Sequence, residues 1–265
     1  MRALVGIMLV LMMSCFISTE AWAQDAKPNP NDPKELSSER YSFIGMRFRD
    51  LIIPKFVLNL FAKGGSTVNV FTFGPEFTTR KGGTELNIAL SYADYSMDPF
   101  LFKGKGDGEE SWERVSSDLK AIYGTIDLLF EVWTGKRSRY AFLIGGGVGL
   151  GAVFDNLHRT QVYPNDPSNP NPDNPSAWRD CTSAGNPATT TSDGAPWCGA
   201  DNNHYPGYSE PSWAHGGAKP FIFPWLSIPQ FSFRYKPIKQ FQMRADAGLS
   251  ISGIFFGLNA AYGLN

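Results

Sequence analysis

Apolar and polar side chains alternate with a period of two along much of the chain after residue 40. The clearest case is residues 240–252, where one face carries only apolar side chains and the other carries polar side chains and glycine. A strand places alternate side chains on opposite faces of a sheet, whereas no helix can bury this pattern on one side. The pattern therefore predicts a β-strand with one apolar and one polar face.

The same alternation predicts eight strands in all. The segments that show it are residues 41–48, 71–78, 86–92, 115–132, 140–154, 231–235, 240–252 and 256–264. It is weaker in the first of these and in 115–132, where the apolar parity switches near Gly124 and predicts a β-bulge. In 140–154, glycine at every second position from 145 to 151 alternates with large apolar side chains. Small residues on one face are typical of the inner wall of a narrow barrel.

The connections between the predicted strands alternate in length. The short ones are residues 80–83, 134–138 and 236–239, the long ones are 49–66, 97–112 and 155–218, and the last, around 252–254, is brief. Tight turns at one rim and long loops at the other are typical of outer-membrane barrels, whose turns face the periplasm. The predicted fold is all-β: an eight-stranded antiparallel up-and-down transmembrane β-barrel with long extracellular loops.

A soluble barrel such as a lipocalin also alternates, but it turns its apolar face inward. Here the apolar face is rich in phenylalanine, and a tightly curved wall cannot hold so many rings inside. We therefore expect the rings to face lipid and the polar face to line the interior. Six aromatic residues are candidates for the girdles at the membrane interfaces: Tyr41, Tyr92, Tyr140, Trp225, Tyr235 and Tyr262.

The amino-acid composition agrees with a fold made of strands and argues against nucleic acid as a partner. The chain of 265 residues contains 27 Gly and 20 Phe, and only 18% of its residues are charged. Aromatic residues favour strands, and glycine is costly inside helices. A formal net charge of -1 leaves no electrostatic case for binding nucleic acid.

The first 23 residues have the features of a secretory signal peptide. Arg2 precedes an apolar run at residues 3–16, and Ala21-Trp22-Ala23 forms an A-x-A cleavage site. The alternative is lipoprotein processing at Cys15, but Met12 and Met13 fit the required motif poorly. Residues 24–40 are polar and rich in proline, which predicts a disordered periplasmic leader before a barrel spanning residues 41–265.

The third long loop, residues 155–218, is expected to carry the interactions of the protein. Cys181 and Cys198 would meet an oxidising compartment after export, which predicts a disulfide; the alternative is a pair of unlinked thiols. A loop of about 64 residues is far longer than a connection needs. Its aromatic residues predict either a contact surface for a partner or a self-packed lid, and they are Trp178, Trp197, Tyr205, Tyr208 and Trp213.

The barrel interior is expected to hold a polar network rather than a pore. Glu76, Arg234, Arg244 and Asp246 lie on the polar face of the predicted strands. Since the lumen of an eight-stranded barrel is about filled by its own side chains, these charges predict a hydrogen-bonded lumen network.

No motif in the chain predicts catalysis, a cofactor or a metal site. Residues 147–152 match the G-x-G-x-x-A dinucleotide fingerprint, but no helix-forming run follows them. The three histidines, His158, His204 and His215, lie in the third loop among carboxylates that suit calcium, yet without the ligand spacing of a known site. Ser209 and Ser212 lack a G-x-S-x-G context.

The chain resembles the small outer-membrane β-barrels of Gram-negative bacteria, of the outer-membrane protein A transmembrane-domain type. It resembles uncharacterised barrels of myxobacteria and their relatives more closely. The segments that carry the likeness are residues 41–49, 53–61, 72–76 and 145–155. The C-terminal Tyr262-Gly-Leu-Asn265 only partly fits the assembly signal of this family, which usually ends on an aromatic residue. The resemblance implies the fold and an outer-membrane location, and it implies no substrate.

These observations favour a structural or interaction module at the cell surface. Its expected partners are outer-membrane lipid and an envelope protein that contacts the 155–218 loop. The alternatives from other classes are a narrow channel for small solutes and, after it, a lipid-modifying enzyme that uses His158 near the rim.

Overall fold

The structure, a computed structural model, describes residues 32–264. The predicted signal peptide, the start of the leader and Asn265 lie outside this range. The strands are β1 (Tyr41–Ile53), β2 (Ala62–Gly64), β3 (Val68–Lys81), β4 (Thr84–Asp94), β5 (Met97–Gly104), β6 (Glu113–Ser117), β7 (Lys120–Thr134), β8 (Tyr140–Phe154), β9 (Leu157–Pro164), β10 (Trp178–Asp180), β11 (Ile222–Ile238), β12 (Phe241–Ser250) and β13 (Gly253–Gly263).

In the described part of the chain, helical structure is confined to short turns. The α-helix α1 covers Lys55–Leu58, and the 3₁₀ turns are Glu109–Ser111, Lys136–Ser138, Pro175–Ala177 and Trp213–His215. Within residues 32–264 there is no helix long and apolar enough to cross a membrane.

Eight strands form a closed antiparallel barrel in the order β1-β13-β12-β11-β8-β7-β4-β3. Each barrel strand pairs with the barrel strands that precede and follow it in the chain, and β13 pairs with β1 to close the ring. The up-and-down barrel of eight strands predicted from the alternation is therefore confirmed. Closure leaves no edge strand with unpaired backbone groups.

The two rims of the barrel differ as the connection lengths predicted. At the turn rim, β3 and β4 are joined by Gly82 and Gly83, both with positive φ, which is the backbone conformation of a tight two-residue hairpin. At the opposite end, the loop rim, residues 54–67, 95–119 and 155–221 connect the barrel strands.

The long connections build a second sheet that the alternation did not predict. Its five strands, in the order β10-β9-β6-β5-β2, come from all three long loops. We call this sheet, together with residues 181–221, the loop domain. Its strands are only three to eight residues long, so the period of two has too few repeats to be recognised in them.

The predicted strand at residues 115–132 is confirmed from Lys120 onward, but its start near 115 and its bulge near Gly124 are wrong. β6 ends at Ser117 and belongs to the loop domain, whereas β7 begins at Lys120 in the barrel. The apolar residues change from odd to even positions or the reverse in this segment because the chain passes from one sheet to the other. Gly124 pairs in regular register with Leu90 and Leu150, and the register shift between β7 and β8 lies between Glu131 and Trp133.

The outer wall of the barrel is apolar and its inner wall is polar over most of its height. Phe71 and Leu150 are exposed on the outer wall, whereas Asp127 and Arg244 are buried. Four of the six girdle candidates, Tyr92, Tyr140, Tyr235 and Tyr262, are half-buried or exposed. The girdle prediction is wrong for Tyr41 and Trp225, which are buried in apolar clusters inside the barrel.

Candidate functional site

The centre of the barrel interior is organised around one buried guanidinium. Arg244 Nε donates to Asp246 Oδ1 at 2.9 Å, and its Nη1 donates to Glu85 Oε1 at 2.8 Å. Its Nη2 lies 2.9 and 3.0 Å from the two carboxylate oxygens of Glu76. The three carboxylates come from three strands, so the side chain of Arg244 links β3, β4 and β12 across the barrel.

Further ion pairs extend this cluster in both directions. Arg47 pairs with Asp127 at 2.7 Å and Glu76 at 3.1 Å. Arg234 pairs with Glu85 at 2.8 Å and Glu131 at 2.7 Å. The basic groups in these interior ion pairs are Arg47, Arg49, Arg80, Arg234, Lys236 and Arg244, and the acidic groups are Glu35, Glu76, Glu85, Asp127, Glu131 and Asp246. Their charges balance, as burial of ions requires.

The structure places all four residues of the predicted lumen network in this cluster. Glu76, Arg244 and Asp246 are in direct contact, and Arg234 joins them through Glu85. The alternation of apolar and polar residues did not single out Glu85 or Arg47 as members of the network. Both side chains lie on the polar, inward-facing side of their strands, but only the register between strands shows which inward-facing side chains are in contact.

Small residues make room for the large interior side chains. A Cβ atom on Gly147 would lie 1.9 Å from Asp127 Oδ1, and one on Gly151 would lie 2.6 Å from the Tyr123 ring. At both glycines, the space that a side chain would need is already occupied. The glycines of β8 therefore allow the opposite side chains to occupy the centre of the barrel, and residues 147–152 belong to a strand rather than to a nucleotide-binding turn.

The end of the leader covers part of the turn rim, beside a cavity of about 220 Å³ whose lining includes Glu35, Glu85 and Arg234. Glu35 accepts hydrogen bonds from Arg80 Nε at 2.7 Å and from Lys236 Nζ. Burial opposes ionisation of Glu35, but the hydrogen bond and charge of Arg80, together with Lys236, lower the pKa of its carboxyl. Residues 33–40 contain no strand or helix, yet Glu35 lies against the barrel. This part of the leader therefore differs from the expected disordered segment.

The loop rim is closed by an apolar layer. Its buried residues are Leu51, Val70, Ala93, Ala121, Tyr123, Trp225 and Phe255. The guanidinium of Arg49 lies 4.8 Å from the centre of the Phe255 ring and 5.6 Å from that of Trp225, so the layer rests directly on the charged network. The cavity between them measures only about 20 Å³, which is room for about one water molecule.

The loop domain has a tryptophan core of its own. Trp178 lies between Trp112 and Trp197, with ring centres 5.6 and 5.8 Å away. Leu101 and Val162 complete this buried cluster. Large rings from the second and third long loops therefore pack these connections into one unit.

This core corrects the predicted contact surface. Trp178 and Trp197 are only 3% and 0% exposed, so they cannot meet a partner. Tyr205 and Tyr208 are half-buried, and Trp213 is 54% exposed. The alternative of self-packing applies to the two buried tryptophans, because a sheet of short strands needs them as its hydrophobic core.

The predicted disulfide is present in the structure. Cys181 and Cys198 are bonded, their Cα atoms are 5.5 Å apart, and both side chains are buried. The disulfide bond holds the segment that carries Trp197 next to β10, the strand at the edge of the sheet.

Replacing both cysteines by serine is expected to destabilise the loop domain by about 3 kcal/mol, because the unfolded loop regains its freedom. The measurement is the protease susceptibility of residues 155–218 in increasing urea. Reduced wild-type protein is the control and should behave in the same way. Unchanged susceptibility of the double variant would contradict a stabilising role for this bond.

A polar cleft of about 510 Å³ opens on the loop domain. It lies between β5, β9 and residues 195–202, and its charged lining residues are Lys103, Asp107, Glu110, Glu113, Arg159 and Asp201. Glu113 accepts from Arg159 Nε at 2.6 Å and lies 2.6 Å from His204 Nδ1. Burial, and then the charge of Lys63, lower the pKa of the Lys103 ammonium. The cleft is of small-molecule size.

The other two histidines have different neighbours. His158 Nε2 is 3.5 Å from Asp118, and His215 Nδ1 is 2.9 Å from Ser212 Oγ in an exposed turn. Among residues 32–264, no group of three or more histidine, cysteine or acidic side chains is arranged to hold a metal ion.

Comparison with protein-family models and with curated proteins finds no match to this chain.

Proposed function

We propose that this protein is a non-conducting outer-membrane anchor that presents its loop domain at the cell surface as an interaction module. The observation that carries the proposal is the contrast between the two parts of the molecule. The barrel interior is filled by ion pairs and covered by an apolar layer at the loop rim, whereas the loop domain has its own core, a disulfide and an open cleft. Recognition then belongs to the loop domain, and the barrel holds it in place.

The apolar outer wall supports membrane insertion. On β7 alone, Ile122, Ile126, Leu128 and Phe130 are between 42% and 49% exposed. Contiguous apolar surface of this kind is rare on soluble monomers and is favourable against hydrocarbon. The closed barrel also satisfies the backbone hydrogen bonds that lipid cannot satisfy.

The difference between the two rims supports an orientation of the barrel in the membrane, and the number of strands supports a relation to small outer-membrane barrels. Tight turns belong to the periplasmic rim of outer-membrane barrels, so in this proposal the leader lies in the periplasm and the loop domain lies outside the cell. The signal peptide expected at residues 1–23 would direct export, and the eight-stranded barrel agrees with the resemblance to small outer-membrane barrels. Outer-membrane lipid surrounds the barrel in this proposal, and an envelope protein or surface ligand contacts the loop domain.

The filled interior argues against the channel hypothesis. A continuous path would have to cross the Arg244 cluster and the apolar layer around Trp225. Opening either of them would separate buried charges or expose apolar side chains.

The purified mature chain is expected to give no steady single-channel openings in planar bilayers, because its interior has no water-filled path. Insertion is checked on the same preparation by protease protection of the barrel in vesicles. Steady openings of defined size in bilayers that contain inserted protein would contradict the proposal and favour the narrow channel.

A further inference from the structure

The cleft on the loop domain contains a buried acceptor that has no donor. Gln161 is 1% exposed and forms part of the cleft lining. Its Nε2 donates to the carbonyl oxygens of Trp197 at 2.8 Å and Glu110 at 3.2 Å, which fixes the orientation of the amide. Its Oε1 has no hydrogen-bond partner, and neither has the buried Oε2 of Glu110. Leaving such acceptors unmatched costs free energy that a donating ligand recovers.

The charges that line the cleft indicate which kind of hydrogen-bond donor a ligand would carry. Arg159 pairs with Glu113 and Glu210, whereas Lys103 donates to two backbone carbonyl groups and its charge acts on Asp107 and Glu110 without an ion pair to either. The lining holds four carboxylates and only two basic groups, so negative charge is in excess. Three lining carboxylates have no ion pair within residues 32–264, and they are Asp107, Glu110 and Asp201. The free positions of the cleft therefore present negative charge and acceptor atoms together.

We propose that this cleft binds a ligand carrying an organic ammonium group. The N–H groups of the ligand donate to Gln161 Oε1 and Glu110, and its charge is balanced by Asp107 and Asp201. A volume of about 510 Å³ accommodates a small molecule or a side chain rather than a bare ion. The inference rests on the proposed role of the loop domain as the recognition element and names the chemistry that it recognises.

The test is calorimetric titration of the full mature chain in detergent micelles with 1,4-diaminobutane. The matched ligand control is 1,4-butanediol, which has the same chain length and one hydroxyl donor at each end but no charge. We expect saturable binding of the diamine, with at least tenfold weaker binding of the diol. Raising the salt concentration should weaken diamine binding because part of the attraction is between charges.

Variants locate the site. Glu110→Gln and Asp201→Asn should each weaken diamine binding by about tenfold, the loss expected for a charged hydrogen bond. Asp98→Asn is the matched control, since Asp98 is an exposed carboxylate on β5 outside the cleft lining and its removal should leave affinity unchanged. Unaltered tryptophan fluorescence of each variant shows that the loop domain remains folded.

A second titration identifies the source of the ammonium group. The probe is the tripeptide Gly-Lys-Gly with blocked termini, and the control has norleucine in place of lysine. Binding of the lysine peptide supports the proposal with a partner protein as the source, and binding of the diamine alone supports it with a small molecule as the source. If neither binds, or if Glu110→Gln binds the diamine as well as wild type does, the proposal is overturned. Bilayer conductance and insertion do not depend on the cleft, so this failure is distinguishable from failure of the proposed function.

Discussion

Replacing Arg244 by methionine is expected to destabilise the barrel by about 3–5 kcal/mol, the usual cost of removing one partner from a buried ion pair. The side chain of Arg244 pairs with Glu76, Glu85 and Asp246 in the barrel interior, where each of these carboxylates is at most 4% exposed. Methionine fills part of the space but leaves excess negative charge. The measurement is urea unfolding in detergent micelles, followed by the electrophoretic mobility of unheated samples.

The control for this variant is Arg179→Met, which removes the same charged group from an exposed position on β10. Its unfolding should stay within about 0.5 kcal/mol of wild type, as for most surface substitutions. An Arg244→Met barrel as stable as this control would show that the three carboxylates do not depend on the guanidinium, and the description of the interior as a charge-balanced network would fail.

Replacing Ile126 by arginine is expected to cost about 2–4 kcal/mol of stability in phospholipid vesicles. Ile126 lies near the middle of β7 on the outer wall and is 48% exposed. In a bilayer this position meets the hydrocarbon core, where a guanidinium loses its hydration. The free energy of unfolding from vesicles, measured by urea titration, is the quantity to compare.

Leu60→Arg is the matched control, because Leu60 is an exposed apolar residue in the connection after α1 rather than on a barrel strand. It should change the unfolding free energy by less than about 1 kcal/mol, as expected near the membrane interface. A soluble barrel would tolerate both substitutions equally. Equal stability of the two variants in vesicles would therefore contradict membrane insertion.

Local pattern was sufficient where a segment is long and has two different faces. Residues 240–252 and 140–154 alternate over enough positions to reveal both the strand and its inward face. The same parity singled out Glu76, Arg234, Arg244 and Asp246 as interior residues. Their partners were harder to predict, because the contact between Arg244 and Glu85 depends on how β12 and β4 face each other across the barrel.

The fold of the loop domain could not be predicted from the sequence for a different reason. β2 and β10 have three residues each, and their pairing with β5 and β9 is set by contacts distant in the sequence. Nothing in the local sequence around Trp178 and Trp197 distinguishes a buried core ring from a ring on a binding surface. Only the packing of Trp112 against Trp178 decides between them.

The amino-acid sequence by itself therefore determined the barrel, the number of its strands, the rim at which the long connections gather and the cysteine pair, since each depends on side-chain periodicity, turn residues or residue type along the chain. The tertiary structure alone decided which inward charges meet, which tryptophans are buried, and that Gln161 and Glu110 line one cleft. Those features depend on the register between strands and on contacts between separate loops, which residues close together in the sequence do not specify.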